Sequence, residues 1–490
     1  MMRLIANAAW FLSMLPDYVW FRVALHFPRY AQKRTHQRRK PTTDADVLLL
    51  EPTSGSTGGT KWIPYTRQLQ REFLRAVNPW IASLYIRHPS LFLKTHYWAI
   101  SPYTAVRQPE EGTRRGFAED RDYLSPLQKA LTRHLFPVPA SLATVQDPYT
   151  HSLLTLLYLL DAPSLGLLSL WHPSSLLALL AFGTREVETV TQALSTGEWP
   201  GGHKHRPNPM RANIAHACLA TRDYAALWPG VKVISCWDSA FATADADRLR
   251  AVFPKTDVQG KGLIATEGIV TIPWGQCHVA AITAHTLRLD PYDTETGESD
   301  SARRISVCDA KAGEHYSVVL TTGNGFTDYP LGDIVRCTGH VAHTPSLAFQ
   351  FRAGGVVDLH GEKLHTGHVA GIIRRLEAKH GAFRFAMLMP RTDRSGYRFI
   401  CSEDDPFVEE EFETLLNENY HYRHARNLGQ LAPLHMCKRR DAFAMFCAVK
   451  RCPPATAKVP PLYVPRDSAE WHDLEKNGMD ACIGKAGVLL

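Results

Sequence analysis

The chain has 490 residues, 45% of them apolar, more than one ordinary hydrophobic core holds, so two or three globular units are expected. Its 55 basic and 48 acidic side chains leave a thin net charge of +7, and the densest basic run, Arg34 to Lys40, carries no interleaved Phe, Tyr or Trp, which argues against a nucleic-acid partner. Ten cysteines lie between Cys218 and Cys482 with no C-x-x-C pair, the usage of a reduced, cytoplasmic protein rather than a disulfide-stapled one.

In chain order, Leu4 to Leu15 is apolar enough for a signal peptide. Only Arg3 precedes it and no small-residue cleavage site follows, so a helical start is expected, continued by the amphipathic stretch Tyr18 to Tyr30. A basic connector then leads to the apolar run Asp46 to Leu50.

The next stretch, Thr53-Ser54-Gly55-Ser56-Thr57-Gly58-Gly59-Thr60-Lys61, is the most chemically biased of the chain. Glycines let backbone N–H groups turn inward, Ser and Thr add hydroxyl donors, and lysine adds a positive charge, which together make a cradle for a polyanion. It reads as a loop between a strand and a helix that begins near Thr66, with Leu69, Phe73, Val77, Trp80, Ile81 and Leu84 at helical spacing and Pro79 as a kink. It is not a Walker loop, because Thr60 stands in place of the second glycine and Trp62 in place of the Mg²⁺-binding hydroxyl.

Beyond it the pattern predicts a strand from His96 to Pro102, a charged loop from Arg107 to Asp122, and helices over 124–135 and 148–160. The Leu-rich span Leu153 to Phe182 is broken by Asp161, Pro163, His172 and Pro173, so no membrane partner is expected. Helices at Leu176 to Leu180 and Val187 to Leu194, a loop at Gly201 to Pro209, a strand at Val231 to Ser235, a helix over 243–253 and a strand near Val258 complete an alternating α/β rhythm. From Ile269 to Val319 short strands dominate, giving a β-rich subregion. Past residue 353 the elements shorten: a helix over 366–379, strands at Phe383 to Met389 and Tyr397 to Cys401, and a helix over 408–417. The expected division is a large N-terminal α/β domain over 1–352 and a small α+β domain over 353–490.

Two further stretches carry chemistry. Gly260 to Gly268 is a glycine-flanked strand end that presents Thr266 and Glu267. A carboxylate beside a triphosphate is repulsive unless a divalent cation lies between them, so a functional Glu267 implies Mg²⁺; otherwise it is a surface turn residue. Thr321 to Asp333 ends an apolar strand, and an Asp333 fixed there suits a two-oxygen grip on ribose hydroxyls; otherwise it too is a turn residue. The pairs His421/His424 and Cys447/Cys452 match no tetrahedral zinc spacing, and no G-x-S-x-G elbow supports a serine hydrolase.

With the three stretches in this order, the chain resembles the adenylate-forming superfamily and, within it, the Gretchen Hagen family of acyl-acid amido synthetases, the bacterial branch more than the plant one. The likeness also includes Leu227-Trp228-Pro229, Tyr329 with Leu331-Gly332-Asp333, Gly361-Glu362-Lys363-Leu364, Ala425 to Leu431 and Ala457-Lys458-Val459-Pro460. It implies an adenylate-forming fold with a mobile small domain, ATP and Mg²⁺ as cofactors, and two half-reactions. A small carboxylic acid is first activated as an acyl-adenylate with loss of pyrophosphate; an amine, expected to be an amino acid, then takes the acyl group.

By resemblance Ser54 to Lys61 hold the β- and γ-phosphates, Thr266 donates to the α-phosphate region, Glu267 binds Mg²⁺ and Asp333 holds the ribose. Ala265, Tyr329 and Arg352 join the nucleotide site, Arg352 at the hinge before the small domain. Lys458 is the catalytic lysine that domain carries in. Transfer to a thiol, coenzyme A or a carrier protein, is the nearest alternative; an inactive nucleotide-binding homologue is the other.

Three departures stand beside the likeness. Only 52 residues precede the cradle, fewer than the family pattern leads one to expect; Leu263 replaces an aromatic of plant members, and Pro330 an arginine. Trp98, Trp171, His172 and Trp237 are the candidate pocket walls, and the oligomeric state stays open.

Overall fold

The computed structural model describes residues 2–38, 47–52, 62–99, 124–145, 147–239, 242–294, 298–353, 356, 357, 359, 362, 364–391, 393, 395–427, 431–450, 457 and 459–463. The expected charged loop from Arg107 to Asp122 lies outside them.

Helices α1 (Met2–Ala24) and α2 (Pro28–Gln37) open the chain. Pro16 lies inside α1, so the helical start runs on through it. One face of α1 buries Trp10, Met14 and Phe21, each contributing roughly 1.5–3 kcal/mol against exposure. On the same face the Asn7 amide donates to the carbonyls of Phe92 and Lys94 at 2.9 and 3.0 Å, and its oxygen accepts from Tyr85 at 2.5 Å. Those bonds fix the rotation of α1 on the body of the protein.

Strands β1 (Val47–Pro52) and β2 (Trp62–Thr66) are antiparallel, with Pro52 opposite Trp62, and α3 (Arg67–Arg87) follows directly. The cradle sequence therefore joins two strands, not a strand and a helix as expected. Alternation in Trp62 to Thr66 explains the difference: Ile63 and Tyr65 are buried, and Tyr65 packs with Leu49 and Leu69. Thr66 caps α3 by accepting the Leu69 N–H at 3.0 Å, and Pro79 sits inside the helix without ending it.

The alternating region runs β3 (Thr95–Trp98), α4 (Pro126–Leu135), α5 (Pro148–Leu160), β4 (Leu165–Ser169), α6 (Ser174–Arg185) and α7 (Val187–Thr196). It continues with the short pair β5 (Glu198–Trp199) and β6 (His203–Lys204), then α8 (Pro209–Thr221), β7 (Val233–Cys236), α9 (Thr243–Val252) and β8 (Asp257–Gly260). Strands β3, β4, β7 and β8 form a parallel sheet in that order. All five residues of β4 are buried, as a parallel strand covered on both faces requires. Within the stretch expected as a loop at Gly201 to Pro209, His203 and Lys204 form β6, which pairs with β5.

A small hairpin, β9 (Ile264–Ala265) with β10 (Gly268–Ile269), leads into β11 (Thr271–Trp274), β12 (Cys277–Ala280), β13 (Thr286–Pro291) and β14 (Ile305–Ser306). β15 (His315–Thr321), β16 (Tyr329–Val341) and β17 (Thr344–Arg352) complete an antiparallel sheet of order β11-β12-β17-β16-β15-β13-β14. Its buried residues join those of α1 and α3 in one core. The last part holds β18 (Val356–Val357), β19 (Leu364–His365), α10 (Thr366–His380), β20 (Ala386–Pro390), β21 (Tyr397–Ser402), α11 (Glu409–Leu416), α12 (Tyr420–Asn427), β22 (His435–Arg439) and α13 (Ala442–Lys450). Strands β20, β21 and β22 form a separate mixed sheet with cores on both faces.

Candidate functional site

The cradle, Ser54, Gly55, Ser56, Thr57, Gly58, Gly59, Thr60 and Lys61, lies outside the described residues, as do Lys458 and the Arg352 side chain. The described residues bring the second and third stretches against the helix that follows the cradle in sequence.

Thr66 performs two tasks at the start of α3. Its hydroxyl oxygen caps the helix and its O–H donates to the Gly323 carbonyl at 2.7 Å. One turn on, Glu72 is only 5% exposed; its Oε2 accepts the Gly323 backbone N–H at 2.8 Å and its Oε1 accepts from Gln68 Nε2 at 3.1 Å. Both backbone groups of Gly323 are thus held by α3. A Cβ on Gly323 would lie 2.5 Å from Gln68 Cγ, so no side chain fits at that contact.

The third stretch folds on itself from there. The Thr322 hydroxyl donates to Asn324 Oδ1 at 2.7 Å, which also accepts from the Phe326 N–H at 3.1 Å. Phe326 and Tyr329 stack with ring centroids 4.3 Å apart. Asp333 is inside β16, directly opposite Arg352 in β17, and it is buried, a fixed position rather than a turn. Gly332 beside it takes the left-handed φ of 79°, which lets the strand kink there, and its carbonyl accepts the Ala353 N–H at 2.6 Å.

Thr266 and Glu267 directly follow the end of β9, as expected, and form the turn of the β9/β10 hairpin, whose register pairs Ala265 with Gly268. Glu267 is 7% exposed and makes no hydrogen bond or ion pair with a described residue. A carboxylate on this turn is the hard oxygen ligand that a divalent cation takes. His285 holds the hairpin: its Nε2 donates to the Ile269 carbonyl at 2.7 Å, and its Nδ1 faces Glu72 Oε2 at 3.8 Å. Burial pushes His285 down to about 4, so the ring is neutral at pH 7, with its proton on Nε2. Gly268 lies so close that a Cβ there would be 2.9 Å from His285 Cε1 and 3.0 Å from Thr322 Cγ2. The turn bearing Thr266 and Glu267, the Thr322 turn and the first two turns of α3 therefore meet around Glu72 and His285.

Neither residue was picked out in the sequence. The signal was present for Glu72, an acid on the buried face of α3 between Leu69 and Ala76; His285 had none beyond an apolar setting.

At the carboxyl edge of the parallel sheet a second group forms. Lys261, just after β8, is buried; its Nζ donates to Ser169 Oγ and the Leu170 carbonyl, both at 2.8 Å, and lies 4.6 Å from the Trp171 ring. Trp237 is 5.9 Å from Trp171 and 6.2 Å from His172, whose pKa burial lowers. This edge is where open α/β sheets bind ligands. Trp98 is not with them: it packs in the core against Trp10 and Phe136.

The GH3 family N-terminal domain matches residues 42–258 and the GH3 family central domain matches residues 289–352, together more than half of the chain. A 187-residue stretch is 24% identical to a "Probable indole-3-acetic acid-amido synthetase GH3.12" of Oryza sativa subsp. japonica. That match covers 32% of this chain and only 30% of that protein. Among solved structures, an AtGH3.15 acyl acid amido synthetase in complex with 2,4-DB superposes with a TM-score of 0.71 at 16% identity, over 94% of this chain and 86% of that one. A second GH3.15 acyl acid amido synthetase structure gives 0.65 at 17%, over 88% and 81%. These likenesses show that the adenylate-forming architecture expected from the sequence is the fold. With both domain matches falling in order along it, the chain belongs to the GH3 family.

Proposed function

We propose that the protein is an ATP-dependent acyl-acid amido synthetase. It activates a small carboxylic acid as an acyl-adenylate with release of pyrophosphate, then passes the acyl group to an amine, an amino acid by class, leaving an amide and AMP. The observation that carries this reading is the meeting, around Glu72 and His285, of the Thr266–Glu267 turn, the Thr322 turn and the helix that follows the cradle, from parts of the chain some 200 to 250 positions apart.

The chemistry follows from what each group can do. A free carboxylate does not acylate an amine, because oxide would have to leave; esterified to AMP, its carbon loses a stabilised phosphate anion instead. Backbone and hydroxyl donors of Ser54 to Lys61 hold the outer phosphates, and Thr266 donates toward the α-phosphate, where negative charge moves in the transition state. Asp333, fixed in β16, accepts from ribose hydroxyls, and the Tyr329 ring, already stacked on Phe326, borders the nucleotide with Ala265. Mg²⁺, when bound at Glu267, supplies the positive charge that lets a carboxylate and a triphosphate share one site.

The acyl group sits at the sheet edge near Trp171, His172 and Trp237. Residues 353–490 form the small domain, which turns about Arg352 to bring Lys458 to the reacting carboxylate and α-phosphate, reducing the repulsion of two anions.

Incubation with ATP, magnesium, a panel of carboxylic acids and either amino acids or coenzyme A tests it by product mass. Amide formed only with acid, amine and ATP together is expected. Thioester in place of amide overturns the choice of acceptor, and no acid-dependent AMP with any acid overturns the reaction.

A further inference from the structure

The chain's net charge is not spread along it. Residues 1–43 hold eight Lys and Arg against the single Asp17, an excess of seven that equals the net charge of the whole protein; the remaining residues balance. No acidic residue occurs between Asp17 and Asp44. Such an asymmetry marks a segment that meets an anionic partner.

The same segment presents an apolar surface. The rotation of α1 set by Asn7 turns Trp10, Met14 and Phe21 inward and leaves the opposite side to solvent. Apart from Arg3, Pro16 and Arg22, every exposed residue of α1 is aliphatic or methionine: Met2, Leu4, Ile5, Leu12, Val19 and Val23. Ile5, Leu12 and Val19, spaced by seven, form one stripe and are 58%, 62% and 53% exposed. A surface helix of a globular protein carries polar residues there, so this face lacks its usual reason to stay in water.

Charge and apolar stripe are continuous. Trp20 on α1 meets Tyr30 on α2 with ring centroids 6.2 Å apart, and the Arg34 guanidinium lies 4.9 Å over the Trp20 ring. Phe27, 60% exposed, stands between the helices. Lys33 and Arg38 extend the basic side of α2, and Arg29 on it pairs with Asp309. Aliphatic stripe, then Trp and Tyr, then Arg and Lys is the order in which a bilayer boundary passes from acyl chains to phosphate. No described helix is long and apolar enough to cross a membrane, and α1 is docked along its other face, so it can only lie in the surface.

We propose that α1 and α2 form a peripheral membrane-binding surface for anionic phospholipid, with the α1 stripe in the acyl boundary and the α2 cations on the headgroup phosphates. This departs from the absence of a membrane partner expected from the sequence. A nucleic-acid partner would match the charge but leave the aliphatic stripe in water, and a second copy of the chain would bring two basic segments together.

The test is flotation of the full-length protein with vesicles of equal parts phosphatidylglycerol and phosphatidylcholine, and with phosphatidylcholine alone. Binding to the anionic vesicles, weakened by salt, is expected. Leu12→Asp with Val19→Asp should abolish it, and Lys33→Glu with Arg34→Glu should weaken it about tenfold or more, since each cation near an anionic surface contributes to the affinity. All four residues are exposed, and Arg34→Glu loses only its contact over Trp20, so circular dichroism should stay unchanged. Vesicle binding needs no turnover, so it stands or falls apart from the proposed reaction. No flotation with anionic vesicles overturns the proposal, as does a dimer that Leu12→Asp dissolves while vesicles remain unbound.

Discussion

Glu72 Oε2 accepts the backbone N–H of Gly323 at 2.8 Å, a bond that spans 251 positions of sequence and joins the helix after the cradle to the turn before Asp333. The acceptor is a carboxylate and the pair is buried, so the bond is of the stronger, charge-assisted kind. Glu72→Ala removes this acceptor and should cost about 1–3 kcal/mol in urea unfolding. Glu72→Gln keeps an oxygen acceptor and should lose less. If the bond also positions the nucleotide turn, the KM for ATP should rise in the same order, Ala above Gln; equal stability of all three proteins would contradict the account.

A methyl group at Gly268 should act at the same junction. Its carbon would sit 2.9 Å from His285 Cε1 and 3.0 Å from Thr322 Cγ2, so Gly268→Ala must push the hairpin bearing Thr266 and Glu267 away from the Thr322 turn. Overpacking of this kind costs about 1–3 kcal/mol, and turnover should fall with it. Gly371→Ala, in α10 with nothing within 4 Å of the added carbon, is the control and should keep full activity and gain slightly in melting temperature.

Two buried histidines set a pH dependence. Burial pushes His285 down to about 4 and His96 down to about 3, both below the usual histidine value of 6.5. Between roughly pH 6.5 and 4 the unfolded chain binds protons at these positions that the folded protein does not, so stability is full above that window and falls as pH drops through it. Each histidine should contribute a slope of about 1 kcal/mol per pH unit, measured as unfolding free energy from pH 7 to 4. His96→Asn should lower the slope by about that amount; an unchanged slope would place the proton uptake elsewhere.

Much of this was legible in the sequence, and where it was not the reason is physical. Periodicity located α3, α5 and α9 to within a few residues, and at α3 and α5 the Thr66 cap and the Asp147 cap with Pro148 mark the start as well. It missed β2 because five residues alternating beside a glycine-rich stretch look like a helix lead-in until Leu49 and Tyr65 are seen to pack together. Of the two readings of Asp333, a fixed residue or a turn residue, the turn falls away because the strand continues through Gly332. Glu72 and His285 act through contacts between residues distant in sequence, which no local pattern records. The exposed stripe of α1 was hidden for a related reason, since the sequence showed an apolar helix but not which side of it the Asn7 bonds would turn outward.

The central claim is that Glu267 and its neighbours support attack of a carboxylate on the α-phosphate of ATP. Acid-dependent exchange of labelled pyrophosphate into ATP, measured without amine, reports that step alone. The account predicts exchange with at least one acid for the natural protein and a loss of about a hundredfold or more for Glu267→Ala, the scale of removing one preorganised charge-stabilising group. Exchange that survives in Glu267→Ala, or its absence with every acid of a broad panel, would contradict it.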